Sequence, residues 1–136
     1  MRYLGLDLGD KSLGLAISDP LGIIATPLKT LFYEGDYNEL LAELKSLLEE
    51  KRIDAFILGL PKNMNNSEGP RALKSREFKA YLEDKLKVKV ILEDERLSTK
   101  GAEQMLLEGD VSRSKRKEKI DSVAASIILQ NYLNRI

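Results

Sequence analysis

Three acidic residues stand where a carboxylate is unexpected, and together they indicate chemistry at a phosphate. Asp7 lies inside the apolar run YLGLDLG, either Asp94 or Glu95 follows VKVILE, and Asp121 precedes SVAASIIL. The chain contains no Cys and no His, which excludes thiol nucleophiles, imidazole bases and Cys/His zinc sites. Separated acids in such a chain suit a hard divalent cation, Mg²⁺ or Mn²⁺, that supports phosphodiester hydrolysis by water.

Each acid also has an ordinary structural interpretation. Asp7 could accept hydrogen bonds beside a turn, and Asp121 could form a salt bridge with Lys117 or a similar base. Side chains alternate along a strand, so only one of Asp94 and Glu95 can point toward the side of the sheet that holds Asp7. The residues themselves leave that choice open, and a charge at the end of a strand can simply face solvent.

A tight hairpin is predicted to position Asp7. Strands over 2–8 and 12–19, joined by a two-residue turn, pair in a register that sets Asp7 opposite Gly14. One face of this hairpin is rich in Leu, whereas the face with Asp7 otherwise carries Gly, Ala and Ser. Because a void is costly, we expect a ligand, an ion or a close-packed helix to fill the space beside Asp7.

The remaining pattern predicts an α/β fold in a single domain spanning 1–136. After a third strand, helices and strands alternate, which implies a mixed five-stranded sheet of three antiparallel and then two parallel strands, with helices on both faces. The predicted later elements are a strand over 23–32, a helix over 36–52, a strand over 53–60, a helix over 70–86, a strand over 88–92, a short helix over 98–108 and a helix from about 117 to 133.

Two polar segments are candidates for binding a polyanion. The loop GLPKNMNNSEGPRA offers amides and hydroxyls ahead of a helix whose free N–H groups favour anions, and SRSKRKEK concentrates positive charge beside Asp121. An ordinary capped loop and a solvated basic loop are the alternatives. The candidate nucleic-acid contacts are Lys11, Asn63, Asn65, Ser67, Arg71, Arg96, Ser98, Thr99, Arg113, Lys115, Arg116 and Lys117. No aromatic stacking platform is visible, which argues against extensive reading of single-stranded bases.

Four motifs occur in the order LGLDLGDKSLGLAISD, GLPKNMNNSEGPRA, DERLST and KIDSVAASIILQNYL, and they span nearly the whole chain. Together they resemble the YqgF/RuvX family of RNase H-like nucleases, which is described both as Holliday junction resolvases and as nucleases that mature the precursor of small-subunit ribosomal RNA. The resemblance implies an RNase H-like fold with a central first strand, a divalent-metal site, and catalytic and metal-binding acids at Asp7, Glu95 and Asp121. Resolvases of the RuvC type carry an acid at the end of the fourth strand, where this chain has GLPKN.

The expected activity is metal-dependent cleavage of structured nucleic acid. The resemblance alone favours 5′-end maturation of pre-16S ribosomal RNA, with four-way DNA junctions as the alternative substrate, because no residue distinguishes ribose from deoxyribose. A non-catalytic nucleic-acid-binding module is a further alternative. A sugar-kinase or actin-like ATPase is disfavoured, since those proteins need two such domains around the nucleotide. Without a membrane-spanning stretch or a signal peptide, we expect a cytoplasmic protein. The sequence leaves a monomer and a homodimer both open.

Overall fold

The computed structural model describes residues 1–63, 65–95 and 113–136, with the side chains of the last segment described from residue 120 onward. Five strands form one sheet in the order β3-β2-β1-β4-β5. The elements are β1 (Tyr3–Leu8), β2 (Ser12–Ser18), β3 (Ala25–Phe32), α1 (Asn38–Glu50), β4 (Ala55–Leu60), α2 (Pro70–Leu86), β5 (Lys89–Asp94) and α3 (Arg113–Arg135). The short helix predicted over 98–108 lies outside the described residues.

Strand β1 occupies the centre of the sheet, as the sequence predicts. It pairs antiparallel with β2 and parallel with β4, and β5 runs parallel to β4. Every residue of β1 and of β4 is buried. Such complete burial is expected of strands that are covered on both faces, and it confirms the mixed five-stranded arrangement.

The two faces of the sheet carry different cores. On one face, Leu40 and Leu44 of α1 and Phe78 and Leu82 of α2 pack against the leucines of the hairpin. On the other face, α3 packs mainly through Ile128 and its neighbours against smaller side chains of β1, β2 and β4. The face that holds Asp7 is therefore the face covered by α3.

A closely packed helix fills the space beside the hairpin, which was one of the three predicted occupants. The predicted register is confirmed, with Asp7 opposite Gly14. A Cβ added at Gly14 would overlap the backbone carbonyl of Asp121, and one added at Gly5 would lie 2.9 Å from the carbonyl oxygen of Ala125. The glycines of the hairpin are needed because they let the backbone of α3 approach the sheet.

Two helices begin at residues that differ from the predicted ones. Helix α3 begins at Arg113 and not near Lys117, because the intervening residues include no Gly or Pro and are mostly straight-chain types that favour helix. Helix α1 begins at Asn38, whose backbone N–H donates a hydrogen bond of 2.9 Å to Asp36 Oδ1. Asp36 therefore lies two residues ahead of the helix instead of directly at its start.

Helix α2 begins at Pro70, as predicted, and of its expected apolar stripe Phe78 and Leu82 are buried, Tyr81 and Leu86 pack against the core, and Leu73 alone points outward. Helical spacing suggests Leu73 as a member of that stripe, yet Leu73 is 62% exposed while Ala72 and Ser75 are buried. At 100° per residue, Leu73 points about 140° away from Phe78, which is fully buried. Among the described residues, no helix is long and apolar enough to cross a membrane.

Candidate active site

Asp7 and Glu95 form a buried pair of carboxyl groups on the α3 side of the sheet. Asp7 lies in β1 and Glu95 directly follows β5, and their exposed fractions are 6% and 9%. The two side chains are hydrogen-bonded to each other. Residues 88 positions apart in the chain thus meet at one point, as the predicted convergence of acids requires.

Strand β4 separates these two acids, and Gly59 makes their contact possible. A Cβ added at Gly59 would overlap the Glu95 carboxylate and would lie 2.7 Å from Ile128 Cδ1. The Glu95 side chain therefore crosses β4 in space that only a glycine leaves open. The backbone N–H of Glu95 also donates to the carbonyl of Leu60, at 3.2 Å, which fixes the start of that side chain.

Burial controls the protonation of this pair. Loss of solvation raises the pKa of Asp7. Loss of solvation, and then the charge of Asp7, raise the pKa of Glu95 to about 9, against a weaker opposing effect of Arg71. At neutral pH the pair is therefore expected to share one proton in the hydrogen bond between its two carboxyl groups.

Asp121 approaches the pair from α3 but has its own partner. The Ser12 hydroxyl donates a hydrogen bond of 2.6 Å to Asp121 Oδ2. The charge of Asp121 is close enough to Asp7 to contribute to its raised pKa. Within the described ranges, no group of three or more Asp, Glu, His or Cys side chains is placed to share a metal ion. The structure thus unites two of the predicted acids and holds the third nearby on Ser12.

The choice between Asp94 and Glu95 is decided by alternation along β5. Glu93 and Glu95 both point to the α3 side, where each is buried, and Glu95 is the residue that bonds to Asp7. Glu93 is neutralised by Arg135, at the end of α3. Sequence reasoning missed this ion pair, because nothing local connects a strand residue to the last turn of a helix.

Sequence reasoning missed Ser12, and it assigned Gly59 to the polyanion-binding loop and not to the acids, although the sequence carried a signal for each. Ser12 lies opposite Gly9 in the predicted hairpin, so the register places it on the same face as Asp7. Gly59 interrupts a fully apolar strand, and a glycine within a strand often marks the close approach of another group.

Many polar side chains of the loop between β4 and α2 form hydrogen bonds within the loop or with α2. Asn63 Nδ2 donates to Ser67 Oγ at 2.9 Å, and the Ser67 hydroxyl donates to Asn65 Oδ1 at 2.6 Å. Arg76 makes two hydrogen bonds to the Glu68 carboxylate, at 2.6 and 2.7 Å, which tie the loop to α2. These hydrogen bonds give the loop residues a structural role within the protein. Their predicted contacts with nucleic acid stay predictions.

Two predicted cationic contacts are described on the surface near the acids. Lys11 is exposed in the turn of the hairpin, and Arg71 is exposed in the first turn of α2. The positive charge of Arg71 favours the ionised forms of both Asp7 and Glu95. Arg96, Ser98 and Thr99, and the side chains of Arg113, Lys115, Arg116 and Lys117, lie outside the described residues.

The donor set at this site suits a hard divalent cation. Asp7 and Glu95 offer only oxygen ligands, as Mg²⁺ and Mn²⁺ prefer. Two buried carboxyl groups cannot both ionise without a compensating positive charge, and here a shared proton meets that need. A divalent cation would meet the same need, with Asp121 as a candidate third ligand once it leaves Ser12.

Comparison with known proteins places this arrangement among nucleases. A family model described as "RuvX: Holliday junction resolvase" matches residues 1–135. A protein of Geobacillus kaustophilus named "Putative pre-16S rRNA nuclease" is 49% identical over 137 residues, which cover 98% of each chain. The protein of the same name from Bacillus subtilis is 49% identical over 139 residues, covering 100% of this chain and 99% of its own.

Solved structures show the same fold at much lower identity. RuvC of T. thermophilus in complex with a Holliday junction substrate matches with a TM-score of 0.55 and 16% identity, covering 99% of this chain and 94% of that one. The fowlpox virus resolvase in complex with Holliday junction DNA matches with a TM-score of 0.54 and 16% identity, covering 99% and 98%. These likenesses confirm the predicted RNase H-like fold.

Proposed function

The chain belongs to the RuvX family, and we propose that it is a metal-dependent nuclease that hydrolyses phosphodiester bonds of structured nucleic acid. The observation that carries this proposal is the buried, hydrogen-bonded Asp7–Glu95 pair, whose oxygen atoms are ligands that a divalent cation accepts. Membership of the family supports the same activity. The family match extends over residues 1–135, which favours a nuclease over the ATPase alternative and supports a single nuclease domain.

The residues of the site have different proposed roles in cleavage. Asp7 and Glu95 would hold the cation, and Glu95 would release its proton when the cation binds. Asp121, positioned by Ser12, is the third proposed catalytic acid. A bound Mg²⁺ or Mn²⁺ would supply a Lewis acid and lower the pKa of water. Arg71, in the first turn of α2, would bind a phosphate of the substrate.

The precursor of 16S ribosomal RNA is the favoured substrate. Relatives that are 48–49% identical over nearly their whole length carry the name of a nuclease for that RNA. Processing of ribosomal RNA would take place in the cytoplasm and would require only one active site. The description of the family favours a second candidate, a four-way DNA junction, whose symmetric cleavage would require two active sites and therefore a homodimer.

A cleavage assay tests the activity and the substrate together. Labelled pre-16S RNA and a labelled four-way junction are incubated with Mn²⁺, Mg²⁺ or a chelator. The wild type should cut the RNA only when a cation is present. Asp7→Asn and Glu95→Gln should lose two or more orders of magnitude in rate, since charge stabilisation worth several kcal/mol disappears.

Matched surface variants serve as controls for that assay. Asp84→Asn and Glu49→Gln make the same chemical changes at exposed positions of α2 and α1, and should cut like the wild type. Preferred cutting of the junction would replace the RNA assignment with the second candidate. Cutting that is equal in Asp7→Asn and wild type would refute the catalytic assignment, and binding of RNA without any cutting would favour a non-catalytic module.

A further inference from the structure

A cavity of about 170 Å³ lies at the hairpin turn, and it shares Arg71 with the proposed cleavage chemistry. It is bordered by the hairpin turn, by the segment that follows β3, and by the first turns of α2. The lining residues that matter here are Gly9, Asp10, Tyr33, Tyr37, Arg71 and Lys74. Apolar and aromatic groups thus form its walls, and charged groups stand at its rim.

We propose that this cavity binds the base of an unpaired nucleotide next to the scissile phosphate, with Lys74 and Arg71 contacting the phosphate of that nucleotide. The proposal rests on the proposed nuclease function and adds a substrate class to it. Such an enzyme would select structured nucleic acid that has an unpaired nucleotide beside the cleavage site.

The aromatic wall is the first support for a base. The Tyr33 hydroxyl donates a hydrogen bond of 2.7 Å to the Gly9 carbonyl, which ties the ring to the hairpin. The ring of Tyr37 lies 6.0 Å from that of Tyr33 and 4.8 Å from that of Phe78, measured between centroids. Stacking on such rings contributes about 1–3 kcal/mol per base. Tyr33 is only 5% exposed and Tyr37 is half-buried, so Tyr37 is the ring that the proposal assigns to the base.

The charged rim is the second support. Lys74 Nζ lies 3.5 Å from Asp10 Oδ1, and these side chains are 58% and 81% exposed. A pair so exposed contributes roughly 0–1 kcal/mol, so a phosphate can take the place of Asp10 at little cost. Arg71 lines the same cavity, and its positive charge lowers the pKa values of Asp7 and Glu95. It therefore connects the cavity with the carboxyl pair.

The size of the cavity restricts its occupant to one small ring system. Sites for drug-sized ligands are larger, roughly 300–1,000 Å³. A base that is paired in a duplex cannot enter such a space, whereas an unpaired base can turn into it. This restriction selects an unpaired nucleotide over a duplex backbone, which would need only the cationic rim.

A titration without metal and without a cleavable phosphodiester tests the cavity separately from the nuclease activity. The ¹⁵N-labelled protein is titrated with uridine 5′-monophosphate and, in parallel, with ribose 5-phosphate, which lacks the base. We expect the nucleotide to shift the amide signals of Gly9, Asp10 and Gly35, with an apparent Kd at least fivefold lower than that of ribose 5-phosphate. Equal affinities for the two probes, or shifts elsewhere only, would overturn the proposal.

Variants at the wall and the rim assign the contacts. Tyr37→Leu should remove the preference for the nucleotide over ribose 5-phosphate, and Lys74→Ala should weaken both probes at least threefold. Lys74 is exposed, so its variant keeps the test available if Tyr37→Leu does not fold. Lys45→Ala, at an exposed position of α1, should bind like the wild type. Unchanged binding by Lys74→Ala would refute the phosphate contact. A negative titration would refute the nucleotide pocket but not the nuclease function, which the cleavage assay tests separately.

Discussion

At the scale of single residues, the property that matters most is the charge of the Asp7–Glu95 pair. Its two carboxyl groups share a space that solvent hardly reaches, and one proton balances them. A group in this state favours the folded protein only while it keeps that proton. The same arrangement that prepares the site for a cation therefore costs stability when no cation is present.

The stability of the metal-free protein should fall as the pH rises through the neutral range. The folded pKa of Glu95, about 9, exceeds its ordinary value of 4.5, so between these values the folded state holds a proton that the unfolded state has lost. The free energy of unfolding then decreases with pH, by up to about 1.4 kcal/mol per unit. Thermal unfolding in chelator from pH 5 to 9 measures this slope. Glu95→Gln should lack this contribution, and parallel curves for the two proteins would contradict the assignment.

At the scale of elements, α3 is held against the sheet by close backbone contact on one side and by an ion pair at its end. The contact at Gly14 sets the depth of the helix and thereby the position of Asp121. The pair between Glu93 and Arg135 holds the last turn of α3 near β5. Each contact can be removed separately.

A methyl group at Gly14 should displace α3. Gly14→Ala would overlap the Asp121 carbonyl, and overpacking of this kind costs typically 1–3 kcal/mol. We expect a lower free energy of urea unfolding and a loss of cleavage activity. Gly69→Ala is the matched control, because its new Cβ would meet nothing closer than 3.7 Å. Equal stability of the two variants would show that α3 does not depend on this contact.

Removing Arg135 should destabilise the protein more than removing a surface lysine. Arg135→Ala leaves the Glu93 carboxylate buried without its partner, and Glu93 is only 8% exposed. Loss of a partner from a buried charge is costly, and we expect about 1–3 kcal/mol here because Arg135 itself is largely exposed. Lys29→Ala breaks the surface pair with Glu43 and should cost below about 1 kcal/mol. Similar unfolding free energies for the two variants would contradict this account.

The elements with strong local signals could be predicted from the sequence. The register of the hairpin followed from its turn, and the start of α2 followed from Pro70. At 100° per residue, Asp121 lies at the edge of the apolar stripe of the last helix, so helical spacing turns it toward the protein, where it bonds to Ser12. The partner of Asp7 could not be chosen between Asp94 and Glu95, because that choice depends on how β5 lies beside Gly59. The tyrosine wall of the cavity could not be predicted either, since its residues meet only in the folded chain.

At the scale of the whole molecule, the two faces of the sheet have different tasks. Among the described residues, the face under α1 and α2 carries the larger cluster of buried hydrophobic side chains. The face under α3 has glycines where larger side chains would prevent the approach of the helix, and it holds the proposed catalytic acids. The hairpin turn and the first turns of α2 border the cavity, and Arg71, which lines it, also acts electrostatically on Asp7 and Glu95.

Calorimetric titration with Mn²⁺ at pH 7, in two buffers of different ionisation enthalpy, tests the central claim most directly. If the cation replaces the shared proton, the wild type should release about one proton for each Mn²⁺ bound. Asp7→Asn should bind Mn²⁺ at least tenfold more weakly, and Asp84→Asn should match the wild type. Binding without proton release, or equal binding by Asp7→Asn and wild type, would contradict the claim that these two carboxyl groups hold the metal.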